Sequence, residues 1–569
     1  MLSIFLRLRL PLFTTFAGLP AGTQRPLLIS VFAGIAAGAS SAVLLAFINS
    51  TLADAEHAGT EAAAFFFGLC LLMLFAGTFS DILVTRLTQN IIYDLRIWLS
   101  RRILSIPLEQ LQTHGPHRLM AALTEDINSV ANAYHMLPVL FIEGSMALGG
   151  IAYIAWLSWA LFAILLGFLL AGLTVFFIAQ RWTLRFMRRA READDALFGH
   201  FRALTGGWKE LKMDARRRHA FLNRELSPAA SAIRSSLNSG LTIFALGAHS
   251  SKLLFFIAIG AVLFVPALSA DGGMDSARSW TLSILFLMGP IETVVNTFPV
   301  LGQGLVALRK LYALAAAMAE EELMSDSRKA LNLLQKPCIL ELTGVTYRYP
   351  SEGGEPGFAI GPIDLRIEPG ELVFITGGNG NGKTTLALLI LGLLVPAEGE
   401  IKLGGETVSG KQRDLYRQNF AAVFADAFVF SSILGYETPP FTEKAGKLLK
   451  SFQLSHKVTV TEGKFSTVDL SYGQRKRLAL LSAFVEDRPF YVFDEWAAEQ
   501  DPIFREIFYT SILAKLKSEG KTVIAITHDE QYYHIADRLL RFSGGRIEEA
   551  KDWKLQHSER NPARKAFAG

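Results

Sequence analysis

The sequence predicts a two-part chain: an N-terminal α domain of six transmembrane helices fused to a C-terminal α/β domain built on a phosphate-binding loop. Three observations predict it. Six apolar runs of about 20 residues, the length that spans a bilayer, fall within the first 320 residues. The apolar strand Glu371–Thr376 runs into Gly377–Thr384, which matches the GxxxxGK[ST] pattern of a phosphate loop. Composition lies between two solvents: of 569 residues, 51% are apolar and 19% charged, and mean hydropathy is +0.31. Such a balance excludes a disordered chain. The two cysteines, Cys70 and Cys338, supply neither a disulfide framework nor a zinc cluster. A net charge of +4 gives no case for nucleic-acid binding.

Residues 1–26 read as a cytoplasmic segment with an interfacial elbow helix, because Arg7 and Arg9 alternate with Leu and Phe and no small-residue cleavage site follows. The membrane domain covers 27–319, with spans at Leu27–Asn49, Ala62–Val84, Met136–Leu157, Ala160–Gln180, Leu241–Val265 and Trp280–Leu301. A buried core helix is the alternative for each run, but six of them leave a soluble fold too little polar surface. Basic residues set the orientation. The first connection holds Asp54, Glu56 and Glu61 without a cation, and the fifth, around Asp271–Asp275, is nearly as poor. Two long connections are rich in cations (Arg86, Arg96, Arg101, Arg102, Arg118; then Arg181 through Arg216–Arg217–Arg218) and are expected in the cytoplasm with both termini. Helices are expected over Ile91–Leu104 and Arg189–Leu211, with short docking helices around Gly115–Thr124 and Thr205–Lys212. A polar linker, 320–337, leads to the α/β domain, 338–550, and a charged tail, 551–569. Ile339–Leu342, Leu372–Thr376, Phe490–Asp494 and Val523–Thr527 read as strands of a mainly parallel sheet.

The loop chemistry is specific. Gly377, Gly378, Asn379, Gly380, Asn381 and Gly382 let backbone N–H groups wrap phosphates, Lys383 bridges them, and the Thr384 hydroxyl, followed by Thr385, suits Mg²⁺. Phe490–Phe493 is apolar and ends in Asp494 and Glu495, carboxylates at the strand edge where open α/β sheets bind ligands. Asp494 is expected to support Mg²⁺ and Glu495 to polarise the attacking water.

In this order the motifs resemble those of the ATP-binding cassette transporters, and six spans followed by one cassette resemble a half-size exporter. Leu470–Ser471–Tyr472–Gly473–Gln474 is similar to the family signature, which implies that Ser471, Gly473 and Gln474 contact the γ-phosphate of ATP on a partner subunit. The resemblance also makes His528 the switch histidine, Asp501 the D-loop aspartate and Tyr349 the aromatic on adenine. It implies ATP and Mg²⁺ as cofactors, two composite ATP sites in a homodimer or a heterodimer of similar chains, and a bacterial inner-membrane location. Two positions depart from the family: Ala425 stands where a Mg²⁺-contacting glutamine is expected, with Asp426 next to it as a substitute, and Ala498 replaces the D-loop serine. These departures, with Gln474–Arg475–Lys476–Arg477, resemble the branch that exports pyoverdine-type siderophores, syringomycin-like lipopeptides and lasso microcins. The implied cargo is an amphipathic cyclic peptide, lipopeptide or siderophore. An importer on the same scaffold and an ATP-gated regulator with weak hydrolysis stay open.

Ionisable groups within spans are costly and mark a pathway. Glu143 lies in the third span, and Glu292 and Asn296 share a face of the sixth. Lys252 in the fifth lies about 20 Å of helix from Val265, deep enough to line a polar cavity or to pair with another helix.

Overall fold

The computed structural model describes residues 24–53, 59–264, 273–317, 338–349 and 357–549. The expected elbow before Gln24, the linker 320–337 and the tail 551–569 lie outside the described residues, as do Asp54, Glu56 and Asp271. The chain forms two compact units, one of residues 1–99 and 120–315, the other of residues 100–119 and 316–569.

In the first unit, all six apolar runs are helical: Gln24–Ala53, Thr60–Leu104, Ile127–Leu157, Trp159–Gly206, Ser227–Phe264 and Gly273–Ala317. Each has a window long and apolar enough to cross a membrane. Each also outruns that window; the 45 residues of Thr60–Leu104 extend about 68 Å at 1.5 Å per residue, twice a hydrocarbon core of about 30 Å. Ser158 alone, with extended backbone, turns the third helix into the fourth. The helix expected over Arg189–Leu211 is broken at Gly207, and Trp208–Met213 is a separate short helix. Two adjacent glycines, poor helix formers, outweigh the basic and apolar pattern around them.

Small residues let these helices approach. A Cβ added to Gly149 would lie 2.6 Å from Ala42, and one on Gly247 would lie 2.3 Å from Ala179. The first contact joins the first and third helices, the second the fourth and fifth. Ser251 Oγ donates to the Gly172 carbonyl at 3.0 Å, fastening the latter pair.

The second unit holds two main sheets. The larger has six strands in the order Arg546–Glu549, Arg538–Ser543, Leu372–Thr376, Thr522–Ile526, Phe490–Asp494 and Phe420–Val423, parallel apart from the first. Phe490–Asp494 and Thr522–Ile526 are buried at every position, which is why they read as continuous apolar runs. The strand begun at Ile339–Leu342 is not part of this sheet. It runs Leu340–Arg348 and pairs antiparallel with Ala359–Ile367 and Glu398–Leu403 in a separate four-stranded sheet. Its alternation, with Leu340, Leu342, Val345 and Tyr347 buried, belongs to a strand with one covered face.

Residues 100–119 group with this unit through the helix Leu108–His114. Leu108 packs against the core that contains Leu340, Tyr347 and Leu386. Glu109 lies beside Tyr347, whose phenol is pushed up by burial and then by that carboxylate. The contact thus falls just ahead of the expected Gly115–Thr124 window.

Candidate functional site

Register brings the chemistry together. Ile526 sits opposite both Asp494 and Ile375, so the loop after Thr376, the Asp494–Glu495 pair and His528 emerge at one edge of the sheet. Gly377 has φ 154° and Gly382 has φ 97°. A Cβ on Gly377 would lie 2.1 Å from the Phe542 carbonyl oxygen, and one on Gly382 would lie 2.7 Å from Ile360. Neither position accepts a side chain.

Lys383 opens the helix Lys383–Ile390 and is buried. Its Nζ donates to the carbonyls of Gly377 (2.8 Å) and Gly378 (3.1 Å) and lies 3.5 Å from Glu495 Oε1. Asn381 Nδ2 donates to the Phe542 carbonyl, pinning the loop. Gly378, Asn379 and Gly380 form its exposed crest. Tyr349 shares a hydrogen bond with the Thr385 hydroxyl at 3.2 Å, which places its ring beside the loop.

Asp494 is 1% exposed, and both carboxylate oxygens are buried without a hydrogen-bond partner among the described residues. Burial pushes its carboxyl up and Glu495 and Asp426 add to the rise, against the Thr384 hydroxyl and the Lys383 ammonium. Unpaired carboxylate oxygens beside a hydroxyl are a donor set that fits a hard cation such as Mg²⁺. Among the described residues no cluster of three His, Cys, Asp or Glu holds an ion alone. That is the usual case for Mg²⁺, which takes one or two carboxylates together with substrate phosphates.

Glu495 Oε1 lies 3.3 Å from His528 Nε2 as well as 3.5 Å from Lys383. The signature turn lies on the helix Tyr472–Glu486, where Ser471 and Gln474 form a reciprocal capping box. Gly473 faces the Glu499 carbonyl so closely that a Cβ would lie 2.9 Å from it. Asp501 caps the helix Pro502–Ile507 and pairs with Arg477. The Phe504 amide first, then Arg477, hold its carboxyl below the usual range against partial burial.

Comparison with known proteins agrees with this geometry. The family model "ABC transporter" matches residues 360–498, and "ABC transporter transmembrane region" matches 27–291. A solved bacterial Atm1-family ABC exporter with ATP bound superposes with a TM-score of 0.72 at 17% identity, over 96% of this chain and 98% of that one. An ATP-dependent lipid A-core flippase of Dechloromonas aromatica is 25% identical over 85% of this chain and 83% of its own. The ATP-binding protein SyrD of Pseudomonas syringae pv. syringae is 34% identical over 495 residues, 86% of this chain and 88% of its own. The chain belongs to the ABC transporters. It is a half-size ABC exporter, a multi-pass membrane protein whose cassette hydrolyses ATP to drive transport.

In the exporter's membrane unit, the fourth, fifth and sixth helices line a small cleft of about 60 Å³. Lys252 Nζ and Glu292 Oε2 meet there at 2.8 Å, and Asn296 of the sixth helix and Leu169, Gly172 and Phe176 of the fourth also line it. The structure thus joins three of the four polar residues singled out in the spans. Glu143, on the third helix, does not line this cleft.

Three residues that the sequence argument quoted only as parts of motifs make contacts it did not foresee. The Tyr472 hydroxyl donates to the carbonyl of Ala425 at 2.5 Å, at the position where a glutamine was expected. Lys476 Nζ donates to the carbonyl of Glu495 at 3.2 Å, and Arg477 Nε donates to Gln500 Oε1 at 2.9 Å. The available signal was cations on the buried face of an amphipathic helix, a pattern with many structural uses.

Proposed function

We propose that the exporter carries an amphipathic peptide, whether lipopeptide, cyclic peptide or siderophore, from the cytoplasm across the bacterial inner membrane as a homodimer with two composite ATP sites. The observation that carries this reading is the cleft: an apolar wall holding one mutually neutralised pair, Lys252–Glu292, and one amide, Asn296. Such a wall suits the apolar surface of an amphipathic cargo with few polar groups and no strong net charge. Likeness of the signature helix to the peptide-exporting branch supports the same cargo. Flippase relatives favour a second cargo, an acylated phosphorylated lipid. For that headgroup the cleft offers little, because Lys252, the one cation among its lining residues, is already paired.

In the proposed cycle, residues 27–319 form the pathway and residues 338–550 the cassette. The loop amides and Lys383 hold the phosphates of ATP, and Tyr349 stacks on its base. Thr384 and Asp494, with Asp426, would hold Mg²⁺, whose charge would offset that of the phosphoryl oxygens. Glu495 takes a proton from the attacking water with His528 beside it. Ser471, Gly473, Gln474 and Asp501 complete the partner's site.

Proteoliposomes with outward-facing cassettes test this reading. ATP-dependent uptake of a fluorescent acylated cyclic peptide is expected, absent in Glu495→Gln and reduced several-fold in Glu292→Gln. Flipping of a phosphorylated acyl lipid without peptide uptake would replace the peptide reading with the lipid one.

A further inference from the structure

Glu495 sits in the left-handed backbone region, φ 48° and ψ 35°, uncommon for a residue with a side chain. This bend ends the strand Phe490–Asp494 and places the Glu495 carboxylate between His528 and Lys383. Both polar groups of the residue's backbone are held. Its N–H donates to the Ile526 carbonyl at 3.1 Å, and its carbonyl accepts from Lys476 Nζ at 3.2 Å. The grip is reciprocal, because the next residue, Trp496, donates its Nε1–H to the Lys476 carbonyl at 2.9 Å. Trp496 is itself 1% exposed, so this anchor is rigid.

Lys476 is 2% exposed. Its ammonium lies 5.2 Å from the centre of the Tyr472 ring, a separation at which the ring face attracts a cation. The Tyr472 hydroxyl in turn donates to the Ala425 carbonyl. Burial draws the Lys476 pKa down, opposed by Glu499, Glu495, Asp494 and Asp426. An apolar side chain of the same length would fill this place without the cost of a buried charge. What an apolar chain would lack is the donor to Glu495.

We propose that Lys476 is a positioning residue for ATP hydrolysis: its ammonium fixes the Glu495 peptide and thereby aims the Glu495 carboxylate, while Tyr472 seats that ammonium against the loop at Ala425. The hold joins the signature helix of a chain to the catalytic carboxylate of the same chain. This inference rests on the general-base role proposed for Glu495.

The test is steady-state ATPase of the full-length exporter in nanodiscs, with ATP affinity and thermal unfolding measured on each variant. Lys476→Met is expected to lower kcat at least tenfold with KM for ATP within twofold, and Lys476→Arg, which restores a donor, to recover most of the loss. In a Glu495→Gln background, Lys476→Met is expected to change the residual rate by less than twofold, since its effect passes through that carboxylate. Tyr472→Phe, which removes one part-exposed hydroxyl, is expected to lower kcat two- to fivefold, and decides the matter if Lys476→Met does not fold. Unchanged kcat in Lys476→Met, or in Tyr472→Phe where that variant decides, overturns the proposal. An equal loss of ATP affinity, or a full-sized effect persisting without the Glu495 carboxylate, overturns it too. If Glu495→Gln alone leaves the rate intact, the general-base role itself fails, a result distinct from failure of the Lys476 hold.

Discussion

Glu495→Gln isolates one charge. The amide keeps the size of the side chain and its place beside His528 and Lys383, at 3.3 and 3.5 Å, so little packing is lost. Glu495 and His528 are partly exposed, and contacts of that kind contribute little to stability; Lys383 is buried but keeps its bonds to the Gly377 and Gly378 carbonyls. The rate is another matter, because a positioned general base contributes about 10²–10⁴-fold, or about 2.7–5.4 kcal/mol of barrier at 1.36 kcal/mol per decade. ATP affinity is expected to stay level or tighten, since the neutral amide no longer competes with the phosphates for Lys383. The variant is therefore expected to retain two ATP per dimer through gel filtration in Mg²⁺ while hydrolysing at most about 1% of the native rate. Turnover within tenfold of native, or a weakened ATP affinity, would refute the assignment.

Other outcomes follow from single contacts. Gly377→Ala would drive a Cβ to 2.1 Å from the Phe542 backbone oxygen, so ATP binding measured by a fluorescent analogue is expected to fall by more than tenfold with the loop distorted. Asp494→Asn is expected to abolish Mg²⁺-dependent hydrolysis and yet to raise the Tm of the nucleotide-free protein at pH 7.5. The sign follows from burial, which lifts this carboxyl above its unfolded value; the folded state then binds the proton more tightly, and the ionised form costs stability. That cost is fully present above the raised pKa and fades as pH falls toward the ordinary carboxylate value of about 4, so the Tm gain is expected to shrink at acid pH. An unchanged Tm at pH 7.5 would count against the burial argument. Lys252→Met strands Glu292 in the apolar cleft, whereas the double variant Lys252→Met, Glu292→Met removes both charges. The single change is expected to lower Tm more than the double, and the reverse order would show that the pair is not coupled.

The parts of the fold legible in the sequence were those whose chemistry is local. A phosphate loop needs its glycines and lysine at fixed spacing along one turn, and a strand buried on both faces has to be apolar throughout, so Gly377–Thr384, Phe490–Asp494 and the six spans could be read directly. Elements whose partners are distant were harder. Leu340–Arg348 is apolar only at alternate positions, and its assignment to the antiparallel sheet depends on Ala359–Ile367 and Glu398–Leu403. Lys252 and Glu292 were each visible as costly charges, but whether they meet is set by the rotation of two helices about their axes. Lys476 was invisible as a functional residue because it acts on a backbone carbonyl, and no residue type at position 495 records that contact.

Ala425 shows why a substitution cannot be weighed alone. In the sequence it is a loss, a glutamine side chain replaced by a methyl, and the adjacent carboxylate of Asp426 is the obvious replacement. The structure places a second residue there. Alanine offers a neighbour only its backbone, and the Tyr472 hydroxyl takes the Ala425 carbonyl, 47 positions away in the chain. The ring of that tyrosine lies 5.2 Å from the Lys476 ammonium, which in turn holds the Glu495 peptide. The loop at 425 is thus connected to the carboxylate at 495 through the signature helix, without a side chain of its own. An Ala425→Gln variant would restore the expected residue but not need it, and if Tyr472 carries the connection, its ATPase should differ from native less than that of Tyr472→Phe.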